Sequence, residues 1–213
     1  TRYMYVQFVT HKSDALAAFK QYIQYVGYTP RHVHMDNAGE HMGVFAKFCL
    51  DKGITQTFIC PYGHEQNAIV ERRMQLLKNA GRAALLESGL PPAFYGRALV
   101  HAAHIENQLV HPVLPDTTPQ QQQFPDSKPH QPVVFGSAAY LTVWPQQKRG
   151  GVLKYPGQLG IYVGESKYGT GALIYEPLTG SILPRRDVRY DQHWRYSASG
   201  SIPANACSQC VSP

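Results

Sequence analysis

Two carboxylates stand where this chain could do chemistry. Asp36 follows a short strand pattern, residues 31–35, and Glu71 falls early in a long helical pattern, residues 65–88. In an α/β layer, ligands collect at the carboxyl ends of strands. On a wheel of about 100° per residue, His64, Asn67, Gln75, Lys78 and Arg82 lie within roughly 40° of Glu71, while Ile69, Leu76, Leu77, Ala80 and Ala84 lie opposite. One helix face is thus polar and basic around a single acid, and the other is a core face. A carboxylate beside a lysine and an arginine could chelate a hard cation while its neighbours hold a phosphate chain. The same residues also fit an ordinary turn, Asp36-Asn37-Ala38-Gly39, before a helix, and an ordinary solvated helix face.

Other residue sets point to chemistry less sharply. His32 and His34 alternate on the strand before Asp36, and His101 and His104 share a helix face, but no cysteine or acid completes either set. Cys207 and Cys210 have metal or redox spacing without a second pair, so chance is the simpler reading. Tyr140, Trp144, Tyr162, Tyr175 and Tyr190 fall on short strand patterns and read as barrel core before they read as a base-stacking surface.

The elements that must position these residues follow from periodicity. Residues 3–9 alternate aromatic and aliphatic side chains and predict a strand. Ser13 is placed to cap a helix in which Leu16, Phe19, Ile23 and Val26 recur at helical spacing up to Gly27, a residue suited to the left-handed C-terminal position. After the strand at 31–35, a second helix with Val44, Phe45 and Phe48 facing inward closes at Gly53, and residues 54–59 form another strand. Strand, helix, strand, helix, strand is the order of an α/β layer with crossover helices. The long helix follows, then Gly89-Leu90-Pro91-Pro92 and a further helix to about residue 110.

Composition sets the remaining divisions. Residues 111–132 carry six prolines and the run Gln120 to Gln123, the texture of a linker or an irregular packing segment. Residues 133–144, 158–164, 172–176 and 181–190 predict short strands of a small all-β module of barrel type, and residues 197–213 are small and polar, as in a disordered tail. The 213 residues hold 20 basic and 14 acidic side chains, a net charge of +6 split evenly between the two halves, which is weak evidence for a nucleic-acid partner. With 43% hydrophobic residues the chain can bury a core, so wholesale disorder is excluded. No apolar run approaches the roughly 20 residues that cross a bilayer, so no membrane partner is expected. Residues 1–9 lack the flank and apolar region of a signal peptide, and four scattered cysteines do not make a disulfide framework, so an internal fragment from a reducing compartment is expected.

The residues also carry a resemblance. The run His34-Met35-Asp36-Asn37-Ala38-Gly39-Glu40, then Phe48-Cys49, Gly53-Ile54, Pro61-Tyr62, Gln66-Asn67 and Val70-Glu71-Arg72, resembles the integrase core of copia-type long-terminal-repeat retrotransposons. It continues through Glu87-Ser88-Gly89-Leu90-Pro91 and Phe94-Tyr95-Gly96. Thr118-Pro119, Val134-Phe135-Gly136, Tyr140, Gly160-Ile161-Tyr162-Val163-Gly164, Tyr175 and Arg186-Asp187-Val188 are similar to the family's small barrel, itself like Src-homology-3 domains.

The resemblance implies a ribonuclease-H-like core, partial and without its first strands, at 1–110; a Pro/Gln-rich linker at 111–132; a small all-β barrel at 133–195; and a disordered tail at 196–213. It implies an Asp, Asp, Glu triad holding two Mg²⁺ or Mn²⁺ ions for phosphoryl transfer, with Asp36 matching the second acid and Glu71 the third. Gln66 and Asn67 match a loop that helps hold a DNA end, and Lys78 matches the helix face that meets DNA. The implied partners are retroelement ends and target DNA, with homo-oligomerisation in the complete enzyme, and the implied location is the nucleus or a cytoplasmic virus-like particle.

Departures from the family pattern accompany these matches. The first acid has no counterpart here, so the chain is expected neither to cut nor to join DNA. The interval from Asp36 to Glu71 is one residue shorter than the family's, and Ala38 and Ala68 replace glycines. Arg73 falls among apolar helix positions, where a guanidinium must snorkel or disturb packing. A non-catalytic remnant that binds nucleic acid or a polyprotein partner is the alternative reading.

Overall fold

A computed structural model describes residues 1–35, 43–58, 64–114, 116–127, 131–142, 157–166, 171–193 and 196, of which the side chains of 64–67, 142 and 157 are left aside. The protein is mixed α/β. It groups into two compact units, Thr1–Leu77 with Leu109–Ser127, and Lys78–Gln108 with Lys128–Pro213.

In the first unit, α1 (Ala15–Val26) is followed by β1 (His32–Met35), α2 (Val44–Asp51) and β2 (Thr55–Phe58). The two strands pair in parallel, with His32 opposite Thr55 and Met35 opposite Phe58. Parallel neighbours need a crossover between them, and α2 lies on it. Buried Phe45, Cys49 and Ile54 gather Leu16, Phe19, Ile23, Val33, Met35 and Phe48 into one core. Gly27 ends α1 at φ +77°, its N–H donating to the Ile23 carbonyl at 3.0 Å, as its position predicted.

Three expectations for this unit are corrected. Residues 3–9 form no strand, since no described segment offers them a ladder. Their aromatic rings pack on α1 instead: Tyr5 lies 5.3 Å from Tyr22 and 5.2 Å from Tyr25 between centroids, and Tyr3 shares a 2.8 Å hydroxyl contact with Tyr25. The helix start passes through a 3-10 turn, Lys12–Asp14, so Asp14 and not Ser13 precedes α1, and its carboxylate accepts from the His11 N–H at 3.1 Å. Val44 is 73% exposed, and Cys49, a turn and a half further on, takes the inward place. In residues 109–127, the glutamine run forms α5 (Pro119–Gln123), where Thr118 Oγ1 accepts from Gln121 N and Gln121 Oε1 from Thr118 N.

The long helix α3 (His64–Ser88) belongs to both groupings, the division falling between Leu77 and Lys78. In the second unit it is followed by a 3-10 turn, Pro92–Phe94, and α4 (Tyr95–Gln108). Gly81 lets α3 and α4 approach closely, since a Cβ there would stand 2.8 Å from Leu99 Cδ2.

An antiparallel five-stranded sheet follows: β3 (Ala138–Thr142), β4 (Gly157–Glu165), β5 (Ala172–Glu176), β6 (Ser181–Arg185) and β7 (Val188–Asp191), in the order β6-β5-β4-β3-β7. The single strand expected over 181–190 is thus two, broken at Arg186-Asp187, and the pieces lie at opposite edges. Both faces of β4 are buried. Ile161 and Val163 pack with Phe135 against Leu90, Phe94 and Ala98. Tyr162 turns the other way and joins Val133, Ala139, Leu141, Ala172 and Ile174. The residues of this second cluster all lie on the sheet or on the segment leading into it. Glu176, buried in this sheet, is held by Arg185 Nη2 at 2.7 Å.

Candidate functional site

Among the residues expected to do chemistry, Asp36 lies outside the described residues, immediately after the last residue of β1 in sequence. His64, Gln66 and Asn67 belong to the first turn of α3, and their side chains are likewise outside the description. Glu71 and Gln75 are exposed on α3 in the first unit, and Lys78 and Arg82 are exposed on α3 in the second. Among the described residues none of these four makes an ion pair or a side-chain hydrogen bond. Unpaired cations on a helix surface are available to phosphate oxygens, which a Lys or Arg that is already paired is not. Arg97, which sequence reasoning passed over, is a further exposed cation on the helices of the second unit, on α4.

The face opposite Glu71 is less of a core than its apolar composition predicts. Leu77 is 6% exposed and Ala84 is half-buried, but Ile69 and Leu76 are 59% and 54% exposed and Ala80 is exposed too. Helical periodicity shows that these residues share a side; it does not supply an element to cover it. Arg73 shows the expected disturbance. It is half-buried, and its Nη2 is shut off from water without a hydrogen-bond partner among the described residues.

The two histidine pairs part ways. His101 is 5% exposed, its ring 5.5 Å from Phe135 and 5.6 Å from Tyr162, and its Nδ1 has no partner among the described residues. Burial, with His104 nearby, pushes its pKa down to about 4, so it is a neutral core residue at neutral pH. His104 Nε2 meets Gln108 Nε2 at 2.6 Å. His32 and His34, by contrast, are exposed, and both turn to Thr57. Thr57 could not be found from the sequence, because its place beside His34 depends on the register of β1 against β2. Among the aromatics, Tyr162 lies in the core and Tyr175 packs on Phe94 at 4.8 Å, while Trp144 is outside the described residues. Cys49 is buried, and burial raises its thiol pKa; Cys60, Cys207 and Cys210 are outside the described residues.

No family model matches the chain. Among solved structures, the chain is similar to one in the cryoEM structure of the simian T-cell lymphotropic virus intasome in complex with PP2A regulatory subunit B56 gamma. The likeness has 20% sequence identity and a TM-score of 0.46, and covers 86% of this chain and 66% of that one.

The implied metal can be weighed only on Glu71. An exposed carboxylate is the right donor type for Mg²⁺ or Mn²⁺, but a hard cation needs several oxygens, and one donor does not make a site. Among the described residues no three His, Cys, Asp or Glu side chains gather.

Proposed function

We propose that this chain is part of a copia-type retrotransposon integrase, in which α3 lies along DNA and Asp36 and Glu71 supply two of the acids that hold Mg²⁺ or Mn²⁺. The ordered run of motif residues supports the family reading, and the observation that carries the DNA role is that exposed Lys78 and Arg82 have no ion pair or side-chain hydrogen bond among the described residues. Both cations reach phosphates without giving up another partner, so binding is sequence-tolerant and salt-sensitive. Bound metal would supply Lewis acidity to phosphoryl transfer. The residues of this chain would orient the nucleic acid, Lys78 and Arg82 by charge and Gln66, Asn67 and Gln75 by hydrogen bonding.

The second reading, a non-catalytic remnant that binds nucleic acid or a polyprotein partner, is favoured by one observation, the Arg73 Nη2 that is shut off from water with no hydrogen-bond partner among the described residues. The two readings separate in a strand-transfer assay with retroelement-end and target duplexes in Mg²⁺, run beside a DNA-binding measurement on the protein completed with a strand that supplies the first acid. Joining that is lost in both Asp36→Asn and Glu71→Gln, with binding retained, supports the integrase. Binding without joining under every metal condition supports the remnant.

A further inference from the structure

We propose that the exposed face of β1 and β2 is a transition-metal site, in which His32 Nε2 and His34 Nδ1 bind a borderline divalent ion such as Ni²⁺, Zn²⁺ or Cu²⁺. The two-residue period of a strand sends Val33 and Met35 into the core and leaves both imidazoles on the solvent side. Parallel pairing then sets Thr57 beside His34. Each ring has a nitrogen 2.8 Å from Thr57 Oγ1, so the two rings aim at one point.

A hydroxyl has a single proton, so Thr57 donates to one ring and accepts from the other. One imidazole therefore already presents a lone pair toward the shared point, and the other needs only a change of tautomer, which water supplies at an exposed site. Imidazole nitrogen binds such an ion at about 2.0–2.1 Å. Rotation of the Thr57 side chain about χ1 clears the space. The hydrogen bonds it loses are exposed, so they are replaced by water at small cost. Two ligands on one short strand are held close before the ion arrives, and water fills the remaining positions. Imidazole donors select ions of the nickel, copper and zinc type over Mg²⁺, which prefers oxygen. The site is therefore chemically unlike the hard-cation role assigned to Asp36 and Glu71, and it does not depend on that role.

Ni²⁺ titrated into the full chain, followed by calorimetry and by paramagnetic broadening of the imidazole resonances, tests the proposal. The expected result is one ion bound, with broadening centred on His32 and His34. His32→Gln and His34→Gln should each weaken binding by about tenfold or more, because the second imidazole acts at high effective concentration. Thr57→Val should retain the ion, His193→Gln should leave affinity unchanged, and excess Mg²⁺ should not displace it. All of these positions but Thr57 are exposed, and amide spectra matching the parent chain confirm folding. Broadening centred elsewhere, affinity indifferent to both histidine substitutions, displacement by Mg²⁺, or a loss in Thr57→Val equal to that in the histidine variants would each overturn the site.

Discussion

Gly136 lies directly against Ser88, so that a Cβ on the glycine would overlap the Cβ of the serine. Gly136 also has φ +83°, where a side chain is strained whatever the space, and its N–H donates to the Tyr162 carbonyl at 2.9 Å. Ser88 is fully buried, with its hydroxyl donating to the Leu85 carbonyl at 2.7 Å and accepting from the Leu90 N–H at 3.2 Å. The end of α3 and the entry to the sheet are therefore fitted to each other at a single point. Gly136→Ala should cost about 3 kcal/mol, combining the left-handed penalty with overpacking. Urea unfolding measures it. Ser88→Gly in the same chain should recover part of that loss, and simple additivity of the two changes would show that the contact is not the cause.

Phe94 joins the turn before α4 to the sheet. It is 9% exposed, packs on Tyr175 at 4.8 Å, and shares a core with Phe135, Ile161 and Val163. Phe94→Ala should cost about 3–5 kcal/mol. Hydrogen exchange should show the loss in the amides of β4 and β5, because the apolar face those strands turn toward α4 would open to water. If those amides keep their protection while only α4 loses it, the sheet does not depend on this core. The same packing bears on residues 132–195 produced alone, which would expose Phe135, Ile161 and Val163 and should bind hydrophobic dyes.

His101 should make stability pH-dependent on the acid side. Its folded pKa, about 4, lies below its ordinary value of 6.5, so the unfolded chain binds the proton more readily. The stabilisation is complete above pH 6.5 and declines as pH falls toward 4, by on the order of 3 kcal/mol at the limit. His101→Phe keeps a ring between Phe135 and Tyr162, removes the unpartnered Nδ1, and should flatten the stability profile between those pH values. A variant whose profile parallels the parent's would assign the acid sensitivity to another group.

Lys78→Ala and Arg82→Ala should each weaken binding to unrelated duplexes alike and lower the slope of log K against log salt by about one. Fluorescence anisotropy across a salt series reads both quantities. Weakening confined to one sequence would mean base contacts, and an unchanged slope would remove the residue from the interface.

Local pattern determined much of this protein. The period of 3.6 places α1 and α3 within a residue or two of their observed limits, Gly27 marks the end of α1, and alternation marks β5 over the residues it occupies. These features depend on neighbours in sequence, so the sequence contains their causes. The polar face of α3 was legible for the same reason, since spacing alone puts Gln75, Lys78 and Arg82 on the side of Glu71. Tertiary structure decided what each face meets. Residues 3–9 have the alternation of a strand but no ladder among the described residues, and their tyrosines pack on a helix instead. Residues 181–190 read as one strand, yet the sheet uses them as two separate edges. Val44 and Cys49 are both apolar and sit on one short helix; contact with the first-unit core buries only the cysteine. Thr57 becomes a partner of His32 and His34 only through a register between strands separated by a helix. Hydrophobic pattern specifies which residues gain from burial, while the element that buries them comes from elsewhere in the chain.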